Sequence, residues 1–519
     1  MRRTAVCTVF IALIGLGAAP AAGNGSGAVV RTDAGPIRGT VTAGHRSFQG
    51  VPYASAPTGD LRWRAPRPVR PWHAVRDATE PGQACAQNSP DGRQSGAEDC
   101  LYLDVTTPRR RRGPVPVLVW LHGGSFQSGA GSMYDPRRLA ERGGTMVVTV
   151  NYRLGVFGFF GLPGLPGSGT FGLQDQQAAL RWVRRNAAAF GGDPGRVTLA
   201  GQSAGGLSVC AHLTSPSAAG LFDRAIIQSG SCLTDWPAGL FFPGIPAGSP
   251  WSAVGEVATE GARLAGEPAI GCPARAGRVA CLRATAPEKL LDATRGTGLH
   301  AFLTPAYGTA LLPELPARAL RGAAFHRVPV LSGSTRDEHR GLIGALDAYA
   351  PVTAGDYRAA LTAAFGDDAQ RVERAYPARV FGSPGLAWAA AATDRIWACP
   401  TAAGNRLLAR HTPAFAYEFG ERHGPAPGST YPWGAYHGSE LPFLFDVGWL
   451  TGEPQQDLAD RMVAVWARFA ATGDPGWPRV RPAAPVPYVR VLASGDGGPV
   501  DVEARHRCGF WAAVPGGAR

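Results

Sequence analysis

An α/β fold, with a large, mostly parallel central sheet flanked by helices, is predicted by three features of the chain. Val115–Leu121 (VPVLVWL) is an almost unbroken apolar run, the pattern of a strand buried on both faces. Shorter runs of the same kind recur at 146–152, 196–200, 225–228, 328–331 and 415–419. Between two of them, residues 173–190 carry apolar side chains at helical spacing until Gly191-Gly192-Asp193-Pro194 stops the pattern. Strand, helix, strand at this spacing is a unit whose strands run parallel.

The remaining elements follow in order. Met1-Arg2-Arg3 is a short positive start, and residues 5–19 are apolar apart from Thr8. Ala19-Pro20-Ala21 then has the small-x-small form of a cleavage site, so residues 1–21 read as a signal peptide and the protein as secreted. A twin-arginine exporter is disfavoured because the flanking residues of that signal are missing. Residues 22–519 read as one domain. Two stretches, 237–321 and 343–397, are rich in Ala and Gly, with helical segments and no strong strand. They are expected to be insertions over one end of the sheet. Residues 461–471 form a further helix, ended by Gly473-Asp474-Pro475.

Composition excludes several classes. Of 519 residues, 45% are hydrophobic and 17% charged, which fits a packed core and not a disordered chain. Fifty-one basic against 39 acidic residues give a net charge of +12, and Lys289 is the only lysine. The excess is therefore arginine. Arg109-Arg110-Arg111-Arg112 lies between Pro108 and Gly113-Pro114 and reads as a solvated loop, so no nucleic-acid partner is expected. Residues 167–172 fit G-x-G-x-x-G but follow a proline-rich loop and not a strand, which makes them a decoy for dinucleotide binding. No H-E-x-x-H and no paired-cysteine spacing appears, so neither metal nor cofactor is expected.

The chemistry concentrates at Gly201-Gln202-Ser203-Ala204-Gly205. A strand leads in and a helix, 203–213, leads out. A serine at that turn sits in strained backbone with its hydroxyl clear of the sheet. Positions 201 and 205 must be small because the turn brings them together. An ordinary tight turn is the alternative. A serine needs a base, an orienting acid and donors for the oxyanion. His122-Gly123-Gly124 follows the strand 115–121, and the N–H groups of Gly123, Gly124 and Ala204 are the expected donors. A plain glycine turn is the alternative there.

With these residues in place, the chain resembles the type-B carboxylesterase/cholinesterase family of α/β-hydrolases. The resemblance runs from about Gly35 to Trp511 through ordered blocks: FQGVPYASAP from Phe48, EDCLYLDV from Glu98, NYRLGVFGFF from Asn151, GLQDQQAALRWVRRNAAAFGGDP from Gly172, RVTLAGQSAGG from Arg196 and ARFAATGDPGWP from Ala467. It implies the α/β-hydrolase fold and a serine esterase. The family's acid lies in a Gly-x-x-x-Asp-Glu context, here residues 333–338, which assigns Glu338, with Asp337 as the alternative. The family continues with glycine where this chain has His339. The family's base matches His437 in Tyr436-His437-Gly438-Ser439-Glu440-Leu441-Pro442. Ser203, Glu338, His437 is the chain order of this fold. Ser229 matches a serine that supports the acid; an ordinary strand-end serine is the alternative reading.

The resemblance also pairs Cys85 with Cys100, Cys272 with Cys281 and Cys399 with Cys508, leaving Cys210 and Cys232 free or joined to each other, the free form being favoured. It narrows the substrate too. In cholinesterases the first of these loops carries a tryptophan that binds a quaternary ammonium. Here residues 86–99 (AQNSPDGRQSGAED) hold no aromatic residue, and Gln202 replaces the cholinesterase glutamate. A choline-ester specialist is disfavoured, and so is a lipase, whose lid is longer and apolar. The expectation is a carboxylesterase on soluble small-molecule esters of short to medium acyl length, without a membrane anchor and with its oligomeric state open. Lipase-like action on longer chains and a non-catalytic binding protein of the same fold are the competing readings. Pocket residues are sought around Trp236, Phe302 and Phe443.

Overall fold

The computed structural model describes residues 28–88, 92–273, 277–295, 304–422, 431–445, 453–495 and 497–514. The proposed leader and Phe302 lie outside them. Ten strands form the central sheet. They are β1 (Thr40–Val41), β2 (His45–Pro52), β3 (Tyr102–Pro108), β4 (Val115–Leu121), β5 (Met146–Val150), β6 (Gly192–Gln202), β7 (Arg224–Gln228), β8 (Val330–Thr335), β9 (Ala414–Phe419) and β10 (Arg490–Leu492). Their order across the sheet is β1-β2-β3-β5-β4-β6-β7-β8-β9-β10. The pairs β1–β2, β2–β3 and β3–β5 are antiparallel. Every pair from β5 to β10 is parallel.

The apolar runs become strands for the reason expected. All seven residues of β4 and all five of β5 are buried, so both faces of the sheet centre are covered. Between β5 and β6 runs α1 (Phe171–Phe190), which Gly191 ends in a left-handed conformation at φ 89° while its N–H meets the Ala187 and Ala188 carbonyls. Between β6 and β7 runs α2 (Ala204–Thr214), buried over its whole length. On the far side of the sequence, α3 (Glu453–Thr472) starts eight residues before the expected 461, because its opening turns are polar and its buried periodicity begins only at Leu458 and Met462. β8 also differs from the expected 328–331. Pro329 has no N–H for the ladder, and the strand instead continues through Ser332-Gly333-Ser334-Thr335, polar residues that are buried and pair with β9.

The first insertion carries helices Val254–Gly266, Arg278–Ala284, Pro287–Thr294 and Pro316–Arg321, with two-residue strands Ser252–Ala253 and Ala306–Tyr307. The second is a run of short helices between Arg340 and Ala409, Arg340–Tyr349, Ala354–Phe365, Ala369–Ala375, Ala378–Phe381, Pro384–Ala392 and Cys399–Ala409, with a π-helical turn at Thr393–Ala398. It has its own apolar core of Ile343, Tyr357, Leu361, Trp388 and Leu240, closed by Trp511 from the C-terminal segment. Phe443 is fully buried in a second apolar cluster, packed edge-on to Phe419.

Four disulfides cross-link the chain: Cys85–Cys100, Cys272–Cys281, Cys399–Cys508 and Cys210–Cys232. The last corrects the preference for free thiols. Cys210 on α2 and Cys232 just beyond β7 are both buried, with Cα atoms 5.3 Å apart, within bonding reach. Denatured, unreduced protein is therefore expected to show no thiol beyond that of Cys7, if Cys7 is retained. Two further thiols by titration would exclude the Cys210–Cys232 bridge.

A buried ionic knot reinforces the C-terminal bridge. His506 donates from Nδ1 to Asp394 at 2.5 Å and from Nε2 to Glu418 at 2.8 Å, and Arg505 also reaches Glu418. Burial disfavours the imidazolium, but Asp394 and then Glu418 outweigh it and raise the His506 pKa to about 10. A raised folded-state pKa stabilises the fold fully below the unfolded value of about 6.5, and the contribution disappears as pH climbs toward 10. Tm is expected to fall across that window, and His506→Gln, which removes the charge shared by two buried carboxylates and leaves them Arg505 and Tyr376, to cost about 3 kcal/mol at pH 7 by denaturant titration.

Candidate active site

The strand order reverses around β4: the chain passes from β4 to β5 on one side, then returns to β6 on the other. Such a switch leaves a crevice at the carboxyl ends of the strands. Leu121 pairs with Gly201, and Gln202 pairs with Gln228, so the segments leaving β4, β6 and β7 start side by side.

Ser203 stands at the top of β6 with φ 57° and ψ −124°, a conformation that costs a non-glycine residue energy and is held by its surroundings. The holding contacts are backbone. Its N–H donates to the Gln228 carbonyl at 2.9 Å. A Cβ on Gly201 would lie 2.4 Å from the Gly205 carbonyl carbon, and one on Gly205 would lie 1.9 Å from the Leu121 carbonyl oxygen. Both positions must therefore be glycine for α2 to sit this close to β4. Gly123 approaches the same turn, where a Cβ would stand 3.1 Å from that of Ser203. Gly124 has φ 105° and bends the chain over Ser128. Ala204 opens α2, so its N–H has no partner within the helix. His122 is buried behind this loop, stacked on Tyr152, with Nδ1 2.8 Å from the Gly123 carbonyl. Burial pushes its pKa down to about 4.

Glu338 and His437 meet directly. His437 Nδ1 lies 2.6 Å from Glu338 Oε2, and the His437 N–H donates to the Glu338 carbonyl at 3.1 Å. The second carboxylate oxygen of Glu338 accepts from the Thr335 N–H at 2.8 Å. Asp337 turns the other way: it pairs with Arg340 at 3.1 Å and accepts from the Ala435 N–H at 3.0 Å. Of the two acidic candidates, only Glu338 contacts the imidazole.

Two expected contacts differ. The Ser229 hydroxyl is buried without a hydrogen-bond partner among the described residues, so it makes no bond to Glu338. Ser229 sits at φ 50° and commits its N–H to the Gly333 carbonyl, which turns the chain at the end of β7. The His437 Nε2 atom accepts from the Gln202 side-chain amide at 3.2 Å, and no Ser203–His437 hydrogen bond forms among the described residues. Such bonds are commonly long before substrate binds.

Sequence reasoning passed over Trp397 and Glu440. The Trp397 ring lies 4.7 Å from that of His437, carried there by the π-helical turn, whose irregular backbone has no simple sequence signal. Glu440 was visible in the quoted block around His437. It is buried, bonded to the Gln228 amide at 3.2 Å, and pushed up to about 7 by burial and then by the charge of Glu338. Trp236 is half-buried beside Phe241. Among the described residues there is no cluster that could hold a metal ion.

A sheet of this order, with a serine elbow at its switch point, defines the α/β-hydrolase fold. Residues 26–486 match the carboxylesterase family model, and the chain belongs to that family. It is 34% identical to a para-nitrobenzyl esterase of Bacillus subtilis (strain 168) over 87% of this chain and 92% of that one. It is 33% identical to a fumonisin B1 esterase of Sphingopyxis macrogoltabida over 87% and 84% of the two chains. A cocaine esterase of Oryctolagus cuniculus is 33% identical over 86% and 87%. A solved PNB esterase superposes with a TM-score of 0.75 at 32% identity, covering 92% of this chain and 99% of its own. The protein is a carboxylic ester hydrolase.

Burial disfavours the protonated form of His437, but Glu338, through charge and hydrogen bond, and Glu440, through charge, outweigh it and raise the pKa above 6.5. Removing the Glu338 charge leaves burial opposed only by Glu440. In Glu338→Gln the His437 midpoint, followed by the NMR shifts of its ring protons, is expected to move down.

Proposed function

We propose that the chain is a secreted serine carboxylesterase in which Ser203 is the nucleophile, His437 the base and Glu338 the acid. The observations that carry this reading are a strained Ser203 and, on the side chain of the preceding Gln202, an imidazole whose other nitrogen is held at 2.6 Å by a buried carboxylate. Substrate enters, His437 Nε2 exchanges the Gln202 amide for the Ser203 hydroxyl, and takes its proton as the oxygen attacks the ester carbonyl. The Gly123, Gly124 and Ala204 N–H groups hold the oxyanion. His437 then protonates the departing alcohol, and water, deprotonated by the same nitrogen, releases the acid and frees Ser203. Glu338 keeps the proton on Nδ1 and balances the charge that forms on the ring.

Soluble esters of short to medium acyl length are the proposed substrates. The described parts of the loop closed by Cys85–Cys100 are fastened to the body. Glu98 pairs with Arg62 at 2.5 Å, and the Gln94 amide donates to the Glu288 carbonyl at 3.1 Å and to Asp292 at 2.9 Å. Relatives named for p-nitrobenzyl, fumonisin B1 and cocaine esters fit a family whose alcohol and acid parts vary widely. Secretion fits four disulfides, which persist in oxidising compartments, and among the described residues no helix is long and apolar enough to cross a membrane.

p-Nitrophenyl acetate or butyrate is expected to be cleaved, and an acyl-length series to peak at the short end. Ser203→Ala is expected to abolish turnover, with Glu338→Gln losing about 100-fold or more and Asp337→Asn remaining within a few-fold of wild type. Turnover surviving in Ser203→Ala would exclude the mechanism.

A further inference from the structure

The residue after Glu338 is His339. It is fully buried, and both ring nitrogens are engaged. Its Nε2–H donates to the Phe241 carbonyl at 2.7 Å, and its Nδ1 accepts from the Trp397 indole N–H at 3.0 Å. Those two bonds define one neutral tautomer, in keeping with a pKa that burial pushes down to about 4. Its backbone N–H is taken by the Thr393 hydroxyl at 3.0 Å. Three segments distant in sequence thus converge on one imidazole: the acid turn, the π-helical turn Thr393–Ala398, and the loop carrying Phe241. The Phe241 ring meets His339 edge-on at 5.0 Å, and the Trp397 ring lies 4.7 Å from His437.

A glycine could make neither side-chain bond. The Trp397 indole is 7% exposed, so without an acceptor its N–H would be left unpaired in the interior, at a cost in free energy. The indole would then lose the bond that fixes its plane, and its plane is what confines His437 on that side.

We infer that His339 is a positioning residue for the base: by holding Trp397 against His437, it keeps the imidazole in one orientation through both proton transfers. The inference rests on His437 being the base. The indole occupies the volume into which the ring would swing, and its π-face favours the imidazolium that forms when Ser203 gives up its proton. The charged and titratable groups acting on His437 are Glu338, Glu440 and His339 itself. Neutral His339 works through Trp397 and not through charge. Displacements near 1 Å in a reacting group can cost about 100-fold in rate.

The test is kcat and KM for p-nitrophenyl butyrate, with kcat expressed per active site titrated by a fluorophosphonate, so that unfolded protein is not counted. His339→Ala is expected to lower kcat roughly 10- to 100-fold with KM within about twofold. His339→Gln keeps one donor and one acceptor and is expected to stay within about threefold of wild type. Should His339→Ala yield no labelled enzyme, His339→Leu, which fills the volume without either hydrogen bond, takes its place with the same expected loss. An unchanged kcat in the apolar variants, an equal loss in His339→Gln, or a change confined to KM would overturn the inference. If the wild type is not labelled at Ser203, the triad itself has failed, which is a separate outcome.

Discussion

How closely α2 approaches the end of β4 decides whether this site exists. The helix after Ser203 lies so near the Leu121 carbonyl that position 205 has no room for a single carbon, and position 201 is closed by position 205 in turn. That approach does two things at once. It holds Ser203 in its left-handed conformation and brings Gly123 against the turn, beside the first N–H of α2, which like that of any helix has no helical partner. A looser packing would relieve the strain, and with it the reason for the hydroxyl to stand clear of the sheet.

The second organising feature is a set of carboxyl groups kept out of water. Glu338, Glu440, Glu418 and Asp394 are all buried, and each is answered by a specific partner: His437, the Gln228 amide, and His506 between the last two. Asp394 belongs to the same π-helical turn as Trp397. The ionic knot and the wall beside His437 are therefore two ends of one turn of backbone. Buried charges of this kind add little net stability but penalise any arrangement that separates the partners, so they fix geometry where apolar packing alone would allow slippage.

Much of this was legible in the sequence because it follows local rules. Strands β4 and β5 announce themselves by unbroken apolar runs, and the elbow by glycine two before and two after its serine. The order of Ser203, Glu338 and His437 came from matching whole blocks, and the fold sets Glu338 beside His437 while Asp337 faces arginines. What stayed hidden depends on contacts between distant segments. The polar strand Ser332–Thr335 looks like a loop until β9 covers it. Trp397 reads as one more apolar residue in an alanine-rich helix until the turn widens and aims it at His437. Cys210 and Cys232 could not be paired by spacing, since only the packing of α2 over β7 brings them within 5.3 Å. Ser229 stands at the end of β7 as expected, but its hydroxyl has no partner among the described residues.

The longest covalent loop in the molecule runs from Cys399 to Cys508 and encloses 109 residues of sequence separation, His437 among them. A chain made from its N-terminus delivers Ser203 and its glycine loop early, Glu338 later, and His437 inside the loop that Cys508 seals. On the proposed triad, a growing chain therefore carries a nucleophile with nothing to activate it until that loop is made. The order of these elements along the chain then acts as a delay that a circularly rearranged version of the same fold would lose.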